Sequence, residues 1–392
     1  LTLALSPEAH DFAGTPGTRW RPQTTEQLAE ALTAQSGPVS LHEAEARDLA
    51  EPAWIDLSGL NRVRVYRRED LMINVETGIT LGELNKVLKA EGHAWALGYP
   101  EDTRLFEVIE PGDRPRGIHR LKEVLEGMDR AGPSGEDKLP EPGLEAALDR
   151  VRWGRDPVLL FLGRLIAAKG PHAVLAAFPD ILRRLPDARL VIVGHGPLRP
   201  VLEDMVHALA AGDRARFEAL VREPRAGAEG GMPEVRARLD AMDPDARDEW
   251  FANARDRLTP DRVVFAGYLR HRELRHLFPC CDAAVFPSLV REAGPLVFLE
   301  ALSCGVLPLG TDFGGMAESL KALGDILPAD VLDALRLSPD PDRLVADLAA
   351  GAPIALAAAH RFRVDLRALA VRRYDWTSVA ERFAADLRTL AA

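Results

Sequence analysis

From residue 151 onward, short apolar runs alternate with stretches of helical spacing. Val158 to Leu162, Leu190 to Val193, Val263 to Ala266, Ala283 to Phe286 and Val306 to Leu309 read as strands, each followed by a helix-compatible segment. Alternation of this kind predicts an α/β fold, a Rossmann-like parallel sheet with helices on both faces. In such a sheet a ligand sits at the carboxyl ends of the strands.

The first hundred residues follow a different pattern. Thr24-Thr-Glu-Gln-Leu-Ala-Glu-Ala-Leu-Thr33 opens on a Thr cap and runs at helical spacing, and a second helical stretch from Ile79 stops at Gly92. Between them Trp54-Ile-Asp-Leu-Ser58 and Leu71-Met-Ile-Asn-Val-Glu76 read as strands. Residues 1–104 are therefore expected to form a small α+β segment. Residues 105–150, rich in Pro, Gly and mixed charge, read as a linker with one short helix around Ile118 to Met128. Residues 151–392 form the α/β domain. Its interval 197–260 is long for a single strand-to-helix connection and predicts a helical insertion. After Tyr374-Asp-Trp376 comes an amphipathic terminal helix with Thr377 or Ser378 as its cap.

At 392 residues and 47% hydrophobic content the chain has room for two cores. A formal charge of -11 argues against a broad surface for nucleic acid, so any phosphate chemistry must be local. Cys280, Cys281 and Cys304 have no paired spacing; they suit a reducing cytoplasm and read as packing. No run approaches the roughly 20 apolar residues that span a bilayer, and Leu1-Thr-Leu-Ala-Leu-Ser6 lacks a basic leader; peripheral membrane contact stays open. The chain opens on Leu1 rather than Met, which reads as a piece of a longer frame.

The chemistry concentrates in three loops that follow strands. Arg164 and Lys169 place two cations on one loop, flanked by Gly163 and Gly170; Arg suits bidentate phosphate contact and Lys a mobile point charge. Two basic residues in a loop are more often solvated surface than a site. Glu292 precedes a helix that Gly294 and Pro295 should start, where Leu296 and Val297 can offer backbone amides to an anion. Glu300 lies about two helical turns on and should meet a different part of the same ligand. Gly314 and Gly315, ahead of Glu318, form a close-backbone turn, as Gly194 and Gly196 do around His195, a loop residue with no carboxylate or Cys near it in sequence. Asp340-Pro-Asp342 has metal-motif spacing but sits in a Pro-rich stretch and reads as a turn.

In order and spacing, Phe161-Leu-Gly-Arg-Leu-Ile-Ala-Ala-Lys-Gly170, Phe286-Pro-Ser288, Glu292-Ala-Gly-Pro-Leu-Val-Phe-Leu-Glu300 and Cys304-Gly…Gly314-Gly-Met-Ala-Glu318 resemble the donor-binding half of the retaining GT-B glycosyltransferases of family four. The resemblance covers about two thirds of the chain, and Ile109-Glu-Pro-Gly-Asp113 is similar to the turn that enters that half. It implies a GT-B donor domain and a nucleotide-sugar donor, UDP- or GDP-linked, bound without a metal, and a sugar, polyol or lipid acceptor. Glu292, Arg164 and Lys169 would be the catalytic residues. Glu292 would hold hydroxyls of the donor sugar and Glu300 the nucleoside ribose, with Gly163, Gly294, Leu296, Val297, Gly314 and Gly315 lining the donor site. Ala293 stands where the family often has an aromatic residue, which bears on which sugar is taken.

Residues 1–104 do not match the acceptor domain of that family. Their order of elements resembles the first lobe of FAD-binding domains of the p-cresol methylhydroxylase and vanillyl-alcohol oxidase type. A flavin pyrophosphate needs bare amides, yet Leu41-His-Glu-Ala-Glu-Ala-Arg-Asp48 offers no glycine and sets Glu43, Glu45 and Asp48 there. FAD is therefore not expected, and a join of two segments near residues 104–108 is. Two alternatives to a transferase remain, an FAD-linked oxidoreductase fragment and a non-catalytic module that binds nucleotide-sugars.

Overall fold

The computed structural model describes residues 106–127, 139–224, 230–292, 296–375 and 377–379, and, ahead of them, five short strands with positions 23, 24, 27 and 62. The chain divides into two compact units, Leu1–Ala96 and Leu97–Ala392.

In the first unit β1 (Arg19–Trp20), β3 (Ala53–Ile55) and β2 (Val39–Ser40) pair in parallel in that order, with Trp54 opposite both Arg19 and Ser40. A separate hairpin joins β4 (Val63–Arg67) to β5 (Met72–Val75). The Thr24 cap is in place, since the Gln27 amide donates to Thr24 Oγ1 at 3.2 Å. The rest of the helix expected at 24–33, the helix expected at 79–92 and the residues 41–48 on which the flavin reading turns lie outside the described residues.

The second unit is built on one parallel sheet of six strands, β6 (Val158–Leu162), β7 (Arg189–Val193), β8 (Val263–Gly267), β9 (Ala283–Phe286), β10 (Leu307–Thr311) and β11 (Arg336–Leu337). All five expected strands are present, and the fold is the expected α/β type. Strand β11, too short to show any pattern, was not anticipated. The spatial order is β11-β10-β9-β6-β7-β8. The chain thus starts in the middle at β6, winds outward through β7 to β8, and returns to β9 on the other side of β6. That reversal between β6 and β9 opens a crevice at their carboxyl ends, where ligands bind in sheets of this kind.

Helices cover both faces because the strands are apolar along most of their length, Arg189, Thr311 and Arg336 apart; every residue of β7, β9 and β10 is buried. Helix α1 (Arg114–Glu126) begins earlier than the expected Ile118 and buries Ile118, Leu121 and Leu125 in the same core as the sheet. Helix α2 (Leu144–Leu148) follows it, and α3 (Pro171–Arg184) follows β6. Between β7 and β8 the described residues form four α-helices, α4 (Arg199–Ala211), α5 (Arg214–Arg222), α6 (Pro233–Asp240) and α7 (Pro244–Arg257). An aromatic cluster of Phe217, Trp250 and Phe251 holds α5 to α7, with Phe217 edge-to-face against Phe251 and tilted against Trp250. A buried pair, His172 Nε2 to Glu234 Oε2 at 2.9 Å, and Arg238 to Asp180 at 2.8 Å tie α6 to α3.

Helix α8 (His271–Leu277) leads back from β8, α9 (Leu296–Ser303) follows β9, and α10 (Gly314–Ala322) follows β10. After α11 (Ala329–Leu335) the long α12 (Pro341–Tyr374) packs across α3, α6 and α9. The expected turn at Asp340-Pro-Asp342 is in fact the start of α12. Asp340 Oδ1 accepts the Asp342 amide at 3.0 Å and Pro341 occupies the first helical turn, so both acids serve the helix end. Cys280, Cys281 and Cys304 are all buried; burial pushes the Cys280 thiol up to about 12 and the other two well above their ordinary value. Inert packing groups is what such thiols are.

Candidate functional site

The loop after β6 and the loop after β9 meet at the reversal of the sheet. The Leu289 amide donates to Ala168 O at 2.8 Å, and Ser288 Oγ donates to the same carbonyl at 3.3 Å. Gly170 makes the approach possible, since at its φ of +67° a Cβ would lie 2.3 Å from Pro287 O. On the other flank a Cβ at Gly194 would lie 1.8 Å from Gly163 O, so the loop after β7 presses directly on the first one. Leu165 N donates to His195 O at 2.8 Å across that contact.

The loop after β10 completes the cluster. Gly315 donates its amide to Glu292 O at 2.8 Å, and Thr311 Oγ1 donates to Ser288 O at 2.8 Å. Four loops are thereby fastened to one another by main-chain contacts, a rigid frame for the side chains they carry.

Lys169 Nζ lies 2.8 Å from Glu292 Oε2, with both side chains about one quarter exposed (27% and 21%). The two residues singled out on separate loops are thus brought together. Arg164 sits on the same loop, exposed, and its guanidinium makes no hydrogen bond or ion pair among the described residues. Leu296 and Val297 open α9 at the same crevice, with Leu296 48% exposed. Gly294 lies outside the described residues. Gly315 has its amide committed to Glu292, so it holds the loop rather than offering a free donor.

Glu300 does not point to solvent as a helix glutamate usually does. Its side chain is 4% exposed; Oε1 accepts from His271 Nε2 at 3.0 Å, and Oε2 is buried with no hydrogen-bond partner. His271 opens α8, whose first turn is closed by the Arg270 amide donating to Glu273 Oε2 at 2.7 Å. Sequence reasoning did not single out His271, because nothing in Arg270-His-Arg-Glu-Leu274 shows that this helix start faces α9. Ser288 and Thr311 were likewise recognisable only as parts of a longer motif.

The hydrogen bond to Glu300 raises the His271 pKa above its ordinary value; burial opposes it, and attraction to Glu300 and Glu273 adds to it. A raised value means that the contact stabilises the fold fully below the ordinary histidine pKa of about 6.5 and fades as pH rises through the raised one. An NMR titration of His271 should accordingly show a midpoint that falls in Glu300→Gln. An unchanged midpoint would remove Glu300 as the cause.

Residues 149–220 and 240–326 match the family Glycosyl transferases group 1. The chain carries a group 1 glycosyltransferase domain. The match spans the sheet from just before β6 to beyond α10, so it includes Arg164, Lys169, Glu292 and Glu300. Among curated relatives, the glycosyltransferase domain is similar to a GDP-mannose-dependent alpha-(1-6)-phosphatidylinositol monomannoside mannosyltransferase of Mycobacterium tuberculosis, at 34% identity over 54% of this chain and 46% of that one. Alpha-D-kanosaminyltransferase of Streptomyces kanamyceticus is 25% identical over 62% of this chain and 54% of its own. Glycogen synthase of Mycobacterium tuberculosis is 27% identical over 69% and 56%. The chain spans about half the length of these curated relatives. A solved structure of Anabaena HepE in complex with UDP and glucose overlaps 74% of this chain and 55% of that one, at 16% identity and a TM-score of 0.37. Among the described residues no helix is long and apolar enough to cross a membrane.

Proposed function

We propose that this chain binds a nucleotide-sugar through its glycosyltransferase domain and transfers the glycosyl group with retention of configuration. The observation that carries the reading is the meeting of the loops after β6 and β9, where Arg164, whose guanidinium is unpaired among the described residues, and the Lys169–Glu292 pair lie on loops that lead to α9. A leaving diphosphate needs positive charge placed where its negative charge develops. Arg164 has its guanidinium free for that. Lys169 is held by a part-exposed ion pair of the kind worth only about 0.2 to 1 kcal/mol, so a diphosphate can redirect it at little cost.

Glu292 then keeps contact with the sugar hydroxyls on one side of the pair while Lys169 turns to phosphate on the other. Amides at the beginning of α9 add the positive end of the helix dipole. In the transfer itself the bond from the anomeric carbon to the diphosphate oxygen breaks and a bond to the acceptor oxygen forms on the same face. The acceptor proton passes to the departing phosphate. By name the relatives are a GDP-mannose-dependent phosphatidylinositol monomannoside mannosyltransferase, a kanosaminyltransferase and a glycogen synthase, which supports a nucleotide-linked donor and a sugar or lipid acceptor.

Calorimetry with UDP and GDP, followed by radiolabelled UDP- and GDP-sugars offered with and without sugar, polyol and lipid acceptors, tests this reading. Binding of at least one nucleotide and acceptor-dependent transfer of label are expected. Binding without transfer or hydrolysis would favour a non-catalytic module, and no binding would overturn the donor assignment.

A further inference from the structure

We propose that His271 is a positioning residue for Glu300, holding its carboxylate so that the second oxygen is presented to the ribose hydroxyls of the donor. This deepens the donor-binding reading and rests on it. Three observations meet here. The His271 Nε2–H donates to Glu300 Oε1 at 3.0 Å. Glu300 Oε2 is buried and has no partner. The edge of the Phe106 ring packs against the imidazole at 6.4 Å between centroids, and Phe106 is itself fully buried, so the imidazole has a firm backing.

A carboxylate only accepts hydrogen bonds, and leaving one of its oxygens buried and unpaired is costly. The oxygen therefore wants a donor. The diphosphate cannot supply one, because at neutral pH its oxygens are acceptors too; a ribose carries two hydroxyl donors. Oε2 is covered, so a hydroxyl reaches it only as neighbouring side chains give way. His271 is the group that keeps the carboxylate from turning with them. The placement follows from the topology: α9 starts at the crevice and α8 returns from β8 toward β9, so a side chain at the first position of α8 meets one in the second turn of α9.

The test is a cycle between ligand and protein. Calorimetry would compare UDP and GDP with their 2′,3′-dideoxy counterparts on the wild-type chain, His271→Ala and His271→Gln. The wild type should lose roughly tenfold or more in affinity when the hydroxyls are removed, the size expected for hydrogen bonds to a charged group. His271→Ala should lose most of that discrimination, whereas His271→Gln, which keeps a neutral N–H donor at similar reach, should recover much of it. A merely structural role would weaken both ligands alike and leave their ratio unchanged, which would overturn the proposal. So would His271→Gln discriminating no better than His271→Ala. If the wild type binds the dideoxy and parent nucleotides equally, the proposal fails while donor binding stands; if it binds neither nucleotide, both fail.

Discussion

Arg114→Ala should destabilise the C-terminal unit by about 3 to 5 kcal/mol, the cost of breaking a buried ion pair from one side. Arg114 is 1% exposed, and its guanidinium donates to Asp282 Oδ1 at 2.6 Å and to Cys281 O at 3.2 Å. Asp282 is equally buried and accepts the Val158 amide on Oδ2 at 2.8 Å, so it joins α1 to the first residues of both β6 and β9. Removing the guanidinium leaves a carboxylate with one charged neighbour lost and His360, 3.6 Å away and held toward its neutral form by burial, as a poor substitute. Urea unfolding followed by far-UV circular dichroism reads the effect as a lowered midpoint. Arg114→Met/Asp282→Leu should recover part of the loss, since two apolar groups leave no charge stranded. The recovery should be incomplete because the Val158 amide loses its acceptor. A single variant within about 1 kcal/mol of wild type would show that the pair is not what fastens α1 to the sheet.

This anchor also marks where sequence reading stopped. The five longer strands were legible because strands covered on both faces are apolar along most of their length, as Leu159 to Phe161 and Leu190 to Val193 are. The site loops were legible because Gly170 and Gly194 stand where main chains touch, close in sequence to the basic residues Arg164 and Lys169 in one case and to His195 in the other. Neither signal reaches Arg114. Its partner is 168 residues away, and a single arginine in a Pro-rich and charged stretch looks like linker until the fold brings Asp282 to it. The start of α12 was misread for a related reason: Asp340-Pro-Asp342 serves equally well as a turn and as a helix cap, and only the Ala-rich 34-residue helix after it decides between them. Glu300 was found and its setting was not. The spacing from Glu292 gives the direction of the side chain along α9, but the partner comes from α8, whose position depends on the whole crossover from β8.

Arg164→Ala/Lys169→Ala should weaken UDP or GDP binding by more than roughly tenfold, because each charged hydrogen bond lost is worth about 1.5 to 3 kcal/mol. The two residues should not behave alike when changed singly. Arg164 is exposed and unpaired, so its removal subtracts only its own contact with phosphate. Lys169 is paired with Glu292 at 2.8 Å, so Lys169→Ala also leaves an unneutralised carboxylate facing the diphosphate. Its effect on free nucleotide should therefore exceed that of Arg164→Ala, and adding Glu292→Ala should give part of it back. Glu292→Ala alone releases Lys169 toward the phosphates; UDP or GDP should bind as well as before or better, while the sugar-bearing donor loses the hydroxyl contacts. The sign of that difference separates the roles of the two residues. If Glu292→Ala weakens the bare nucleotide as much as the intact donor, Glu292 is part of the phosphate site through Lys169 and not a sugar ligand.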